Sequence, residues 1–382
     1  MASVEVAVAA IDSNRRMRTP QIFLFALSAG LTPTVQAENS ISFQTYKYVE
    51  SDGRIQVRAA DLALEKDFGT DLTARMELGT DAISGATPCW KLKPGYANEY
   101  VSGKCVVGDE VRNSFSAGFT WRDAKRNEYT FGFSNSREPD FLSNEFSAQA
   151  QLWHNELHNR SYTVGVSLQD NTSLAAPNTN NTVNKGSKAL AFQAGVNQVL
   201  DRNSTLEASV FAGADSGYLT NHYLKIVRDD GSGQHTLTDE LRPDSRRSGG
   251  VSTRYIKSWR DDFKTNIWYR YYGDNWGITS HTVEAKAYWD ITEKWRLNPV
   301  LRLFQQSEAN FYRAYSAAPN TFASTGPGSN DSRLGPIKAV TTQLNLEYRA
   351  SKEWSISAGV SRYAQNTGWA ANTATLGFVF KY

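Results

Sequence analysis

The sequence predicts an all-β fold: a single transmembrane antiparallel β-barrel of about sixteen strands, after a cleaved N-terminal signal peptide. Three observations carry this. The last stretch, Trp369 to Tyr382, alternates, with Leu376, Phe378, Phe380 and Tyr382 on one face and Thr375, Gly377, Val379 and Lys381 on the other. A period of two makes a strand with one apolar face. Strand-like segments of the same kind fill the chain behind it. The connections between them sort by parity, long after odd-numbered strands and short after even-numbered ones, as outer loops and periplasmic turns do in membrane barrels.

Composition agrees. Mean hydropathy is negative, although Tyr, Trp and Phe are plentiful and Cys and Met scarce. Only half the residues of a barrel strand face lipid, so the average stays polar while aromatics fill the interfacial girdles. The formal net charge is +2 with no basic run, which argues against a nucleic-acid partner.

At the N-terminus Arg15, Arg16 and Arg18 precede the apolar run Ile22 to Leu27, and Val35-Gln36-Ala37 has the form of a cleavage site. Residues 1–37 read as a signal peptide, with Met17 an alternative start, and residues 38–382 as the barrel. The apolar run is too short to span a bilayer, so cleavage after Ala37 is expected.

The strands then follow in order. Ile41 to Glu50 is the first and Arg54 to Lys66 the second, with a bulge near Ala60 where the alternation slips. In the third, Asp71 to Ile83, Leu72, Ala74, Met76 and Leu78 share a face. A long connection, Ser84 to Glu110, leads to Val111–Arg122 (Phe115, Ala117, Phe119 and Trp121 outward) and Glu128–Arg137 (Tyr129, Phe131 and Phe133). Phe141–Asn155 and Arg160–Asn171 continue the meander, and the polar loop Thr172 to Gly186 leads into Ser187–Leu200 and Ser204–Asp215. After the longest loop, Ser216 to Ser245, come Arg246–Trp259, Asp262–Gly273, Gly277–Asp290 and Trp295–Glu308. The loop Ala309 to Pro336 precedes Ile337–Ala350, Trp354–Gln365 and the terminal strand. Short turns such as Lys125-Arg126-Asn127, Arg260-Asp261 and Ser351-Lys352-Glu353 follow the even strands.

The residues able to do chemistry are few. Cys89 and Cys105 share one outer loop, and an exported chain meets an oxidising compartment, so a disulfide is the expectation. His154, His158, His222, His235 and His281 are scattered without metal-ligand spacing, and nothing calls for a cofactor. Ser280 and His281 are adjacent on a strand and must point to opposite faces. His222 with Asp229, Asp230 or Asp244 is the arrangement a rim-sited hydrolase would use.

The polar faces place Arg58, Arg75, Arg254, Lys264, Arg270, Lys286, Arg296, Arg302 and Arg349 in the lumen. The matching acids are Glu77, Glu207, Glu284 and Glu347. Either the charges pair across strands and keep the wall solvated, or a positive surplus favours anions in a water-filled passage. At the outer rim, Arg242, Asp244, Arg246 and Arg247 cluster where the longest loop re-enters, and Asp274 and Trp276 top a hairpin. Arginines there bind anionic groups as a fork, meet lipopolysaccharide phosphates or tie the loops down.

The segments SGYLTNHY (Ser216–Tyr223), RPDSRR (Arg242–Arg247), YRYYGDNWGITSHTVE (Tyr269–Glu284) and DAISGATP (Asp81–Pro88) resemble motifs of a bacterial family known only as a domain of unknown function. Its members are predicted exported outer-membrane β-barrels, and the resemblance spans almost the whole mature chain. It implies no activity and no catalytic residue. Members of that family are often encoded near small lipoproteins, thioredoxin-like proteins and periplasmic flavin transferases, so the resemblance implies an envelope redox system but attaches it to no residue. The cysteine loop has no counterpart in those motifs.

The expected function is a passive or selective channel of the bacterial outer membrane, not an enzyme, with a basic lumen favouring anions and both termini periplasmic. The alternatives are a non-conducting structural barrel that partners periplasmic redox proteins or lipoproteins, and a rim-sited hydrolase. Expected partners are outer-membrane lipid, lipopolysaccharide, and the barrel-assembly machinery through the strand ending in Tyr382.

Overall fold

A computed structural model describes residues 39–174, 184–221, 223–317 and 319–382. The signal peptide with its cleavage after Ala37, most of the loop between residues 172 and 186, and His222 lie outside the described residues.

The strands of the first half are β1 (Ser40–Glu50), β2 (Gln56–Phe68), β3 (Leu72–Leu92), β4 (Tyr100–Arg122), β5 (Glu128–Glu138), β6 (Phe141–Trp153), β7 (Arg160–Ser173), β8 (Lys185–Asp201) and β9 (Ser204–Gly217). Those of the second are β10 (Lys225–Asp229), β11 (His235–Asp239), β12 (Ser245–Arg260), β13 (Phe263–Asp274), β14 (Thr279–Asp290), β15 (Trp295–Gln306), β16 (Phe322–Ala323), β17 (Ile337–Arg349), β18 (Trp354–Gln365) and β19 (Ala370–Lys381). Sixteen of them close into one barrel, each beside its sequence neighbour, and β10, β11 and β16 form a separate three-stranded sheet. The seam pairs β1 with β19 antiparallel from Ser40↔Lys381 to Glu50↔Ala371, which leaves no free edge.

Facing follows from register, because directly opposed residues share a face. Phe43 opposes both Phe378 and Leu62, and Leu62 opposes Leu78. Phe43, Leu78, Phe131, Val164, Phe192, Ile267, Leu301 and Leu344 are all exposed. So broad an apolar belt on a closed barrel is a lipid-facing surface. Near the short turns it ends in paired aromatics, Trp121 on Tyr129 at 5.3 Å, Trp295 on Tyr348 at 4.6 Å and Trp354 on Phe380 at 4.2 Å. This row is an interfacial girdle.

Two expectations need correction. Ser84 to Glu110 is not an irregular loop: β3 continues to Leu92 and β4 begins at Tyr100, so the hairpin projects past the belt. The alternation is lost there because the register shifts between Ile83 and Gly85. Gly85 takes φ +134, and a Cβ on it would lie 2.1 Å from the Arg54 carbonyl oxygen. The Cys89–Cys105 disulfide staples this hairpin, with Cα atoms 5.8 Å apart.

The second correction is β2, which has no bulge at Ala60; its register with β1 and β3 is unbroken. The apparent slip marks a change of interior. Val57 and Ala59 face inward and join Tyr46, Tyr48, Ile55, Ile83 and Ala371 in a buried apolar cluster at the end of the seam away from the termini.

Candidate functional site

Two parts of the molecule bear on function: the lumen wall and the cover over its mouth on the side of the long loops. On the wall, Arg254, Lys264, Arg270, Glu284, Lys286, Arg296, Arg302, Glu347 and Arg349 alternate with exposed Val251, Ile267, Val283, Leu301, Leu303, Leu344 and Leu346, and so face inward. Arg75 alternates with exposed Met76 and is inward too. Most are paired. Glu284 accepts from Lys286 at 3.0 Å and Arg302 at 2.7 Å. Asp290 accepts Arg296 as a two-pronged fork at 2.8 Å and Arg349 at 2.8 Å. Arg349 also lies 3.6 Å from Glu347, Arg254 lies 3.7 Å from Glu207, and Arg270 stacks on Phe211 at 4.4 Å.

Arg58 is corrected. It opposes outward Lys47 and is exposed on the lipid side, because Val57 and Ala59 take the inward places in β2.

The same register turns inward a set of acids that the sequence reading left out: Asp61, Glu65, Asp81, Glu110, Glu138 and Glu145, all on β2 to β6. Arg112 pairs with Asp81 at 2.5 Å, and carboxylates of Glu110, Glu138 and Asp140 converge within 4.8 Å at the outer end. In the closed strand order β4 stands across the barrel from β14. The lumen therefore has a basic side on β12 to β17 and an acidic side on β2 to β6, not a uniform positive surplus. Of the strands between them, β7 and β8 add inward polar residues such as Asn171 and Asn197, and β9 adds Glu207 and Asp215. Buried side-chain atoms of inward Asn171, Asn197, Asn266 and Asn298 find no protein partner. Buried polar groups of this kind are satisfied by water.

Over the mouth lies a canopy. The chain between β9 and β12 and the chain between β15 and β17 meet in the β10-β11-β16 sheet and at the Leu241↔Gly328 bridge. They reach the far hairpin, where the Trp90 indole N–H donates to Asn330 Oδ1 at 3.0 Å and the Trp90 ring packs on Tyr315 at 5.0 Å. Strands β9 and β12 lie across the barrel from β1 and β2, next to β3, so these contacts span the opening.

Arg242 locks the canopy. Its side chain is wholly buried, donates to Glu240, and donates to Asp331 Oδ2 at 2.7 Å. Burial alone would lower its pKa, but Glu240 and then Asp331 raise it above the ordinary value. Burial works to raise Asp331 as well, yet Arg333 and Arg242 outweigh it and hold Asp331 below the ordinary carboxylate value. For Glu240 burial dominates and the carboxyl is pushed up. Two of the three guanidinium nitrogens of Arg242, Nε and Nη2, are thus taken by this chain's own carboxylates, while its buried Nη1 has no protein partner.

The other expected rim residues are tied in the same way. Arg246 donates to Asp274 Oδ2 at 2.9 Å and stacks on the Trp276 ring at 4.6 Å. Asp274 also accepts from the Tyr272 hydroxyl at 2.8 Å and the Trp276 and Ile278 amides at 2.9 and 3.0 Å. Trp276, 2% exposed, packs with Leu219, Ile278, Ala309 and Leu334 and donates to the Ser245 carbonyl at 2.9 Å. Asp244 accepts the Gly217 amide through its carbonyl, and Arg247 keeps its side chain exposed outside. Three of the four motif segments thus meet at this one junction, through Leu219, Arg246 and Trp276.

Ser280 is buried on the inner face and His281 exposed on the outer, where Tyr269 Oη lies 2.9 Å from its Nδ1. Glu240, Asp331, Trp90 and Tyr315 were missed because their contacts join distant loops; the only cue was a loop rich in Ala, Pro, Gly and Ser around Asp331.

The family described as "Protein of unknown function (DUF3570)" matches residues 22–379. No curated protein matches the chain. Among solved structures, a mutant of the ferric enterobactin receptor (PfeA) from Pseudomonas aeruginosa in complex with enterobactin is similar with a TM-score of 0.45 and 11% identity, over 87% of this chain and 55% of that one. The siderophore receptor PirA from Acinetobacter baumannii gives 0.45 and 10%, over 87% and 54%. The CymD monoaromatic hydrocarbon channel gives 0.45 and 7%, over 91% and 89%. The chain spans about half the length of these two siderophore receptors.

Proposed function

This chain belongs to the family described as "Protein of unknown function (DUF3570)", and we propose that it is a selective outer-membrane channel whose outer mouth is screened by the canopy. The observation that supports this is the two-sided polar wall: a basic side, an acidic side, and inward Asn171, Asn197, Asn266 and Asn298 with buried side-chain atoms that have no protein partner. A lumen built only to be filled would bury such groups against one another. Anions travel along Arg254, Lys264 and Arg270, while the acids from Asp61 to Glu145 oppose them. The preference for anions is therefore weaker than a uniformly basic wall would give, and solutes carrying both signs fit best. Exposed wall charges act through about 8–10 Å of electrolyte at physiological salt, so the bias is collective.

The reading assigns no catalysis to the barrel. It places both termini in the periplasm, on the side of the short turns and the aromatic girdle. It also makes the final strand, with Phe380 and Tyr382 outermost, the part recognised by the assembly machinery. Planar-bilayer recording of the purified barrel tests the proposal: stepwise conductance with modest anion preference is expected, and a silent bilayer contradicts it.

One observation favours a second reading. The canopy crosses the whole mouth through Trp90, Tyr315 and Asn330, as suits a non-conducting structural barrel that holds periplasmic redox proteins or lipoproteins. Such a barrel stays silent even when the canopy is cut away.

A further inference from the structure

The outer surface carries basic groups where a lipid-facing wall should be apolar. Lys47 on β1 opposes Arg58 on β2, and Arg362 on β18 opposes Asn372 on β19, which in turn opposes Val49. Lys47, Arg58 and Arg362 are all exposed. Among the described residues no carboxylate pairs with any of them, and the one polar contact at this patch is from Arg362 to Asn372 Oδ1 at 3.5 Å. Beside them runs a groove of about 610 Å³, with an apolar floor of Val49, Leu344, Val360 and Ala374, and Lys47 and Arg362 on its lining.

Depth decides what the groove meets. Ile41 opposes Phe380 in the girdle, and Lys47 stands six residues further along β1. At about 3.3 Å per residue and a tilt of about 40°, that raises it roughly 15 Å, toward the leaflet on the side of the long loops. Arg or Lys facing lipid costs about 2–4 kcal/mol at the bilayer midplane and about 0–1 near the interface. A basic cluster at this depth is stabilised by an anion at the leaflet boundary, and the apolar floor beside it suits a chain attached to that anion.

We propose that this face binds the phosphorylated head and one acyl chain of an outer-leaflet glycolipid, lipopolysaccharide. Lys47, Arg58 and Arg362 take the phosphate, and the floor from Val49 to Ala374 takes the chain. The proposal uses the orientation of the channel reading but none of its lumen.

Native mass spectrometry of the full barrel in mild detergent tests it, titrated with bisphosphorylated lipid A, unphosphorylated lipid A, phosphatidylglycerol and inorganic phosphate. Bisphosphorylated lipid A should bind best, about tenfold above its unphosphorylated form. The Lys47→Gln/Arg58→Gln/Arg362→Gln variant should remove that advantage, while Arg137→Gln, another exposed base elsewhere on the barrel, should not. Val360→Trp, which fills the floor and keeps the charges, should weaken lipid A but not inorganic phosphate, and it stands in if the triple variant fails to fold. Equal binding of phosphatidylglycerol, or full binding by both groove variants, overturns the proposal. Conductance of the triple variant should be unchanged, so loss of lipid binding and failure of the channel reading are separate results.

Discussion

The canopy and the lumen wall both bury charge, and they tie it down to different degrees. In the canopy Arg242 sits between Glu240 and Asp331 with no exposed side-chain surface, and its carboxylates are shared with Arg333 and Ser329. In the wall, polar atoms of Glu145, Asp215, Arg254 and four inward asparagines lack protein partners. Arg242 Nη1 and Asn221 Nδ2 in the canopy lack partners too, so the difference is one of degree: the canopy ties its charges to one another across distant loops, while the wall leaves more of its polar atoms to water. The cover is therefore a folded structural unit, and under the channel reading the lumen beneath it is where solutes would be met.

The comparison breaks most visibly at Arg242. Arg242→Met leaves buried Glu240 without its charge partner and Asp331 with Arg333 alone, a loss of the kind that typically costs about 3–5 kcal/mol. The canopy should become open to limited proteolysis between β10 and β11, while the barrel keeps its heat-modifiable shift on a gel. Trp276→Ala comes next. It removes the centre of the Leu219–Leu334 cluster, which costs about 3 kcal/mol, and should loosen the same segment with the Arg242 pairs intact.

A matching change in the wall should do less to folding. Arg302→Met leaves Glu284 with Lys286 at 3.0 Å, so the urea midpoint should fall by an equivalent of about 1 kcal/mol. Its effect belongs to transport: Arg270→Glu with Arg302→Glu should move the reversal potential under a salt gradient toward cations.

The smallest effect is the pH response of the canopy. Asp331 lies below its ordinary value of 3.8, so its contribution is present above that value and is lost as pH falls through the lowered one. Glu240 lies above its ordinary value of 4.5, so its contribution is present below that value and is lost as pH rises through the raised one. Protection from protease should peak in the mildly acid range near these two values. Protection flat across that range would mean that the two groups do not couple to folding.

The barrel was legible because its signals are local and repeated. Leu376, Phe378 and Phe380 alternate, and one parity of connection is always short. Facing was legible wherever the outward residue was large and apolar. It failed at Arg58, where an inward apolar cluster inverted the pattern, and one inverted strand turns every residue of it around. The acidic side escaped because Asp61, Glu65 and Glu145 sit in strands whose faces differ little in polarity. The canopy escaped for another reason: Arg242 and Asp331 are 89 residues apart, and no period links them.

The most direct test of the account is single-channel recording of two proteins side by side, the wild-type barrel and one with Lys225–Asp239 replaced by a short Gly-Ser turn. The account predicts stepwise currents in both, larger and less selective once the canopy is cut, because the wet wall is complete without it. Silence in both, with the barrel folded, would contradict a conducting lumen and leave the structural barrel as the reading that stands.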